Sequence, residues 1–268
     1  MPTVQGTEAY INKRKALIDT IIPKEPAPRV KELYKESKLE FISIVVPDTL
    51  EHIKYKSYPL NWTKKETLPN GMIFKDEASF NIKYLDKGHG LPGNSVSSIA
   101  EDKDGLIYMT STSGLLVLNG SEITIYGDHP HFAFTSSKSL FYDQNGKMWI
   151  ASDEQVGFIY ENKLYLPEKP IFGGVHQQPF REHENGDFFI STNYNGLYIV
   201  KEDYLLHYEK GLPHNMITDA ILTSENKLWI GFARHGVGYI QNDSLFAFKE
   251  LGNYGTTRAF LECEGELW

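Results

Sequence analysis

Between residues 90 and 268, apolar and polar positions alternate in short runs separated by turn residues, and no stretch holds a convincing period of 3.6. Such alternation sets every second side chain against a core, so it predicts β-strands. The breaks recur as a unit: a polar residue, two more, a turn residue, two more, then an aromatic. The copies are Asp102-Lys-Asp-Gly105-Leu-Ile-Tyr108, Asp143-Gln-Asn-Gly146-Lys-Met-Trp149, His183-Glu-Asn-Gly186-Asp-Phe-Phe189, Thr223-Ser-Glu-Asn226-Lys-Leu-Trp229 and Glu262-Cys-Glu-Gly265-Glu-Leu-Trp268. Their turn positions 105, 146, 186, 226 and 265 lie 41, 40, 40 and 39 residues apart.

Each copy is followed by a second turn signal and another alternating run, so the unit reads as four short antiparallel strands. In the first copy these are expected at Val96 to Glu101, Leu106 to Thr110, Leu115 to Leu118 and Glu122 to Tyr126. In the fourth they are expected at Ala220 to Leu222, Leu228 to Gly231, Gly238 to Ile240 and Leu245 to Phe248. Four strands in about 40 residues make a propeller blade, whereas helical repeats are built otherwise. The fold class is therefore all-β: a β-propeller of four-stranded antiparallel blades, about four and a half of them present. The blades span roughly 90–127, 136–166, 176–208 and 211–249, and a fifth begins at 255–268. The motif aromatics Trp149, Phe189 and Trp229 are expected to pack between blades.

A propeller has to close, because an open last blade exposes strand edges and half an apolar interface. A chain that stops at Trp268, just after the fifth hairpin turn, is thus expected to be a fragment of a larger propeller. Residues 1–80 carry Pro23, Pro26 and Pro28 and few turn glycines, and read as a partly irregular leader or linker with a short helix near Glu8 to Asp19. Residues 81–268 form the propeller region. Within it, Asn81 to Leu85 sit where an outer strand belongs, one that could join the last blade and close the ring.

The lead-ins Gly90-Leu-Pro-Gly-Asn94-Ser-Val96 and Gly211-Leu-Pro-His-Asn215-Met-Ile217, the runs Trp229-Ile-Gly231 and Trp149-Ile-Ala151, and the pairs Gly114-Leu115 and Gly196-Leu197 resemble the two-component regulator propeller repeat. The resemblance covers about the last two-thirds of the chain, although the second and third copies lack the Gly-Leu-Pro lead-in. It implies a sensory region of a bacterial signalling protein, periplasmic or otherwise extracytoplasmic. It also implies more blades and an output domain, such as a histidine kinase or phosphatase, in the same polypeptide, and leaves room for a homodimer of the full-length protein.

Composition removes other classes. With 27 Lys+Arg against 35 Asp+Glu the net charge is −8, which argues against nucleic acid as a partner. One cysteine, Cys263, excludes internal disulfides and cysteine-rich zinc sites. The N-terminus shows no export signal, and no apolar run approaches the roughly 18 residues of a membrane span. No catalytic motif is present, so no catalytic residue, cofactor or metal is assigned. His129-Pro-His131 reads as a surface connector. Asp102-x-Asp104-Gly105 reads as a hairpin turn, since Ser113 stands where a calcium loop needs Glu.

Binding is left. Connectors leading into the blades and the loops between second and third strands converge on one propeller face. They carry Glu154, His176, Asn193, Tyr194, His214, Asn215, Arg234 and His235, groups able to hydrogen-bond or stack on a carbohydrate-like or carboxylate-bearing ligand. The expected function is a non-catalytic sensor that couples ligand or partner binding to a downstream domain. The alternatives are a propeller-based enzyme, a lyase or metal-dependent hydrolase, and a protein-interaction scaffold.

Overall fold

A computed structural model describes residues 39–42, 51–67, 73–74, 83–84, 86–87, 91–93, 95–171, 174–202, 204–242, 244–248 and 256–268. The leader helix expected near residues 8 to 19 lies outside them. Leu39–Phe260 is one unit, and the hairpin Leu261–Trp268 belongs to another.

Short strands come first: β1 (Leu39–Ile42), β2 (Glu51–His52), β3 (Tyr55–Pro59), β4 (Lys64–Thr67), then β5 (Ile73–Phe74) and β6 (Lys83–Tyr84). Four meanders follow. Blade one is β7 (Val96–Glu101), β8 (Ile107–Ser111), β9 (Gly114–Asn119) and β10 (Glu122–Tyr126), and blade two is β11 (Ser137–Tyr142), β12 (Met148–Ser152), β13 (Val156–Tyr160) and β14 (Lys163–Pro167). Blade three is β15 (Val175–Glu182), β16 (Phe188–Thr192), β17 (Leu197–Lys201) and β18 (Tyr204–Tyr208). Blade four is β19 (Ile217–Leu222), β20 (Leu228–Phe232), β21 (Gly236–Gln241) and β22 (Ser244–Phe248). The strands expected in the first and fourth copies are all present: β7 and β10 have the expected bounds, β8 is shifted by one residue, and the other five are one to three residues longer.

The motif turns explain the repeat. Asp143 Oδ1 accepts from the amides of Asn145 (3.0 Å) and Lys147 (2.8 Å), while its Oδ2 accepts from Trp149 Nε1 at 2.8 Å. One buried carboxylate thus closes the turn and satisfies the indole that the blade interface buries. Asp102 Oδ1 closes its own turn in the same way, through Asp104 and Leu106, which supports the hairpin reading over a calcium loop. The Gly-Leu pairs have a steric cause. A Cβ on Gly114 or Gly196 would lie 2.1 or 2.0 Å from the carbonyl oxygen of Tyr126 or Tyr208, and both glycines have positive φ.

Three apolar layers join neighbouring blades. Leu115 and Val117 of blade one meet Leu140, Met148 and Ile150 of blade two, with Phe132 and Phe134 between them. Trp149 stacks on Phe188 at 4.5 Å between blades two and three, and Phe189, Leu197 and Ile199 meet Ile217, Ile230 and Phe232 between blades three and four. Burying each such side chain contributes about 1.5–3 kcal/mol. Trp149 and Phe189 are core residues, as expected, with 1% and 2% exposed. Trp229 is only half-buried and tilts against Tyr239.

The segment read as a leader supplies a fifth, outermost strand to every blade. β4 pairs with β10, β3 with β14, β2 with β18 and β1 with β22, all antiparallel, so the chain passes the blades in the order four, three, two, one before building them in the order one to four. This strap occupies outer edges that would otherwise stay unpaired. Its own Ile53 and Leu60 are buried against the blades at 8% and 6% exposure, and Thr63 Oγ1 accepts from the Gly127 amide at 2.8 Å. Lys83–Tyr84, in the run expected as an outer strand, pairs with Ile73–Phe74 instead.

Within its own unit, Leu261–Trp268 forms a tight hairpin. β23 (Glu262–Cys263) and β24 (Glu266–Leu267) are joined through Glu264 and Gly265 at φ 52° and 75°, the signs a type I′ turn requires.

Candidate functional site

The innermost strands β7, β11, β15 and β19 lie side by side, and each contains a register break against its second strand. A bulge re-aims the side chain that follows it. At equivalent positions after the break, Ser98 accepts from the Leu140 amide of blade two at 3.0 Å, and Asp219 reaches Arg181 of blade three. Arg181 Nε and Nη2 donate to the two Asp219 carboxylate oxygens at 3.1 and 2.6 Å, and Nη2 also donates to the Phe260 carbonyl at 2.9 Å. Asp219 accepts in addition from the Ala220 and Phe260 amides at 2.9 and 2.7 Å. The node therefore ties two inner strands to the segment that follows blade four.

Blade four departs from the others at the loop between its second and third strands. In blades one to three the second strand ends in Ser111, Ser152 or Thr192, whose hydroxyl donates back to the carbonyl of Gly114, Gln155 or Gly196 and plugs the turn. Phe232 takes that place in blade four and has no hydroxyl. Threonines from the following segment close the loop instead. Arg234 N donates to Thr256 Oγ1 at 3.3 Å, and Thr257 Oγ1 donates to the Gly236 carbonyl at 3.0 Å.

Beside this loop lies a cleft of about 1070 Å³ bounded by β7, β15, β19, the loop at Ala233 and Arg234, and residues 256–259. Its walls carry hydroxyls at Ser97, Ser98 and Thr256 and apolar surface at Ile99, which is 63% exposed, and at Phe180. Among the described residues, the charged groups lining it are Arg181, Arg234, Arg258 and Asp219.

Of the candidates whose side chains are described, only Arg234 lines this cleft. His235 and His214 stack beside it, ring centroids 4.7 Å apart, and His214 Nδ1 accepts from the Met216 amide at 2.9 Å. The Asn215 carbonyl accepts from the Gly196 amide. Asn193 and Tyr194 sit at another loop, where the Asn193 amide donates to the Gly174 carbonyl at 3.1 Å and Tyr194 is 67% exposed. Asn193 Oδ1 is buried and makes no hydrogen bond to the described residues. Glu154 is exposed on the blade-two loop, its amide donating to Ser152 Oγ. His176 lies in β15, and its side chain is outside the described residues.

The sequence alone does not single out Arg181 and Asp219, because their partnership crosses from blade to blade, nor Arg258, which lies beyond blade four. The available signal was ionic residues on innermost strands, in Pro-Phe-Arg181-Glu and Ile-Thr-Asp219-Ala, where alternation alone would put uncharged side chains. Elsewhere His129 and His131 cluster with Tyr58 of the strap, the His131 and Tyr58 centroids 4.5 Å apart. Burial, and next the neighbouring His131, hold the His129 pKa below its ordinary value. Its Nδ1 already accepts from the His131 amide, at 3.2 Å. Among the described residues no group of three or more His, Cys, Asp or Glu side chains gathers in a way that could hold a metal.

Comparison with known proteins agrees with this architecture. Residues 90–113 match the family described as two component regulator propeller. No curated protein matches the chain. Among solved structures, the extracellular domain of BT3049 from B. thetaiotaomicron, described as a hybrid two component system, superposes with a TM-score of 0.52 at 22% identity. The match covers 62% of this chain and 26% of that one, so this chain spans about a quarter of that domain. A catalytically inactive variant of virginiamycin B lyase from Staphylococcus aureus, with quinupristin, superposes with a TM-score of 0.53 at 14% identity, covering 80% of this chain and 81% of the lyase. At these identities both show the propeller fold alone.

Proposed function

From a chain that carries the two-component regulator propeller repeat and folds into its blades, we propose a sensory region of an extracytoplasmic signalling protein. Its inner cleft binds a small ligand, and binding is passed to an output domain in the same polypeptide. The observation that carries this reading is the cleft itself, where three blades and the segment after blade four meet around polar groups held by inter-blade hydrogen bonds. A ligand that touches several blades changes how they pack, and differential affinity for two packings is what shifts a signalling equilibrium. The extracellular setting of the BT3049 domain supports the location.

A second reading, an enzyme of lyase type, has the shared fold in its favour. Against it, the only carboxylate among the described lining residues is Asp219, whose oxygens already accept from Arg181 and two backbone amides. A general base needs a free lone pair within reach of the substrate proton.

The test is a thermal-shift screen of the full chain against neutral sugars, sugar acids, peptides and nucleosides, with hits followed by hydrogen exchange and by NMR of the compound. The expected result is a saturable ligand that protects amides of β15 and β19 and is recovered unchanged. Consumption of the compound would replace this reading with the enzymatic one, and protection confined to the loop at Tyr194 would remove the cleft from it.

A further inference from the structure

We propose that the cleft is selective for an anion: a small polyhydroxylated molecule bearing a carboxylate or sulfate group, held by Arg234 and Arg258. This rests on the reading of the cleft as the ligand site. The chain as a whole has a net charge of −8, yet the described residues lining the cleft carry three guanidinium groups and one carboxylate. The single carboxylate is saturated by Arg181 and backbone donors, so it neither recruits a cation nor neutralises the other two arginines. Among the described residues no carboxylate pairs with the Arg234 or Arg258 side chain, and both residues are exposed.

The backbone that carries the two arginines is fixed before any ligand arrives. Arg234 sits at φ 64°, a left-handed conformation that side-chain-bearing residues adopt reluctantly, and its amide is tied to Thr256. Arg258 lies between two fixed points. On one side Thr257 bonds the Gly236 carbonyl, and on the other Phe260 is held through both its amide and its carbonyl by Asp219 and Arg181. Both arginines thus rise from two backbone segments stitched to each other, which lowers the backbone entropy lost when an anion is clamped. A planar guanidinium meets a carboxylate or sulfate through two parallel hydrogen bonds, and a cleft of one sign concentrates such anions. Ser97, Ser98 and Thr256 supply hydroxyls suited to a hydroxylated body, and Phe180 an apolar face for a ring. The volume of about 1070 Å³ lies just above the range of roughly 300–1,000 Å³ for small-molecule sites, which suits an extended ligand over a lone ion.

The experiment is calorimetry on the full chain with three sets of disaccharides matched in size: uronic-acid-containing, sulfated and neutral. An anionic set is expected to bind at least about tenfold tighter than the neutral one, the better of the two identifying the anion, and to weaken as salt rises from about 0.05 to 0.5 M. The double variant Arg234→Gln with Arg258→Gln should lose at least about tenfold in affinity, and the Lys pair should recover part of it. Circular dichroism confirms folding, and Tyr194→Ala, outside the cleft, serves as control. Equal binding of the neutral set, or anionic binding that survives the double variant, overturns the anionic assignment and leaves the sensory reading intact. No binding by any set also overturns the assignment, while the sensory reading then stands or falls with the broad screen.

Discussion

Arg181 and Asp219 lock the inner strands of blades three and four together, the fork of one closing on both oxygens of the other at 3.1 and 2.6 Å. The Asp219 side chain is only 12% exposed, so removing its partner leaves a poorly solvated charge. Arg181→Met should destabilise the chain by about 2–3 kcal/mol, below the 3–5 kcal/mol of a fully buried pair because Arg181 keeps partial solvent access and Asp219 keeps two amides. Urea unfolding measures this. A loss under about 0.5 kcal/mol would mean that water already screens the pair.

Asp143 performs two tasks with two oxygens, and the two can be separated. Trp149→Phe removes the indole donor but keeps most of the ring stack, and should lose about 1–3 kcal/mol. Asp143→Ala also frees the amides of Asn145 and Lys147 and should lose more. Equal losses in thermal unfolding of the two variants would show that the turn bonds contribute nothing.

The left-handed turn positions should respond in opposite directions. Gly196→Ala sets a methyl 2.0 Å from the Tyr208 carbonyl oxygen, which forces the backbone apart and should remove at least about 2 kcal/mol. Asn226, at φ 57°, stands where the other copies carry glycine. Asn226→Gly should be neutral or stabilising by a few tenths of a kcal/mol. A marked loss at Asn226 would reveal a contact of its side chain that the turn depends on.

His129 gives the strap contact an acid limit. Its folded pKa lies below the ordinary 6.5, first from burial and then from His131, so the unfolded chain binds the proton more readily. The groups around it are His131, Tyr58 and the nearby Asp128, whose carboxylate accepts from Thr135. Stability from this source is full above about pH 6.5 and is lost as pH falls through that value toward the folded pKa. Thermal unfolding between about pH 7 and 5 should therefore slope less steeply in His129→Phe, which keeps a ring against Tyr58. An unchanged slope would assign the acid sensitivity to other groups.

The blades were legible because their signals are local. A turn residue, an aromatic three positions later and a Gly-Leu pair each have a short-range cause, seen in Asp143, Trp149 and Gly114. The strap was not legible. Tyr55–Pro59 and Lys64–Thr67 lack strong alternation and owe their strand conformation to the blade edges they meet, a long-range cause that no window of the sequence contains. The candidate site was half legible for a related reason. Loop polarity pointed to Arg234, but the replacement of the serine or threonine plug by Phe232, and the arrival of Thr256 and Thr257 to compensate, emerge only when the blades are set side by side.

The strap also dictates an order of events during synthesis. Its last strand waits 57 residues for its partner, from Lys65 to Glu122, whereas Glu51 cannot pair until Leu205 has emerged, and Leu39 until Phe248. A chain leaving the ribosome can therefore dock β4 when blade one is complete, then β3, β2 and β1 as each later blade appears. Each docking converts a long loop closure into a short one, because the preceding blade has already drawn the strap close. Folding becomes vectorial, with the strap made before the blades yet the last to find all its partners, and blade edges are covered soon after they form instead of standing open to other chains.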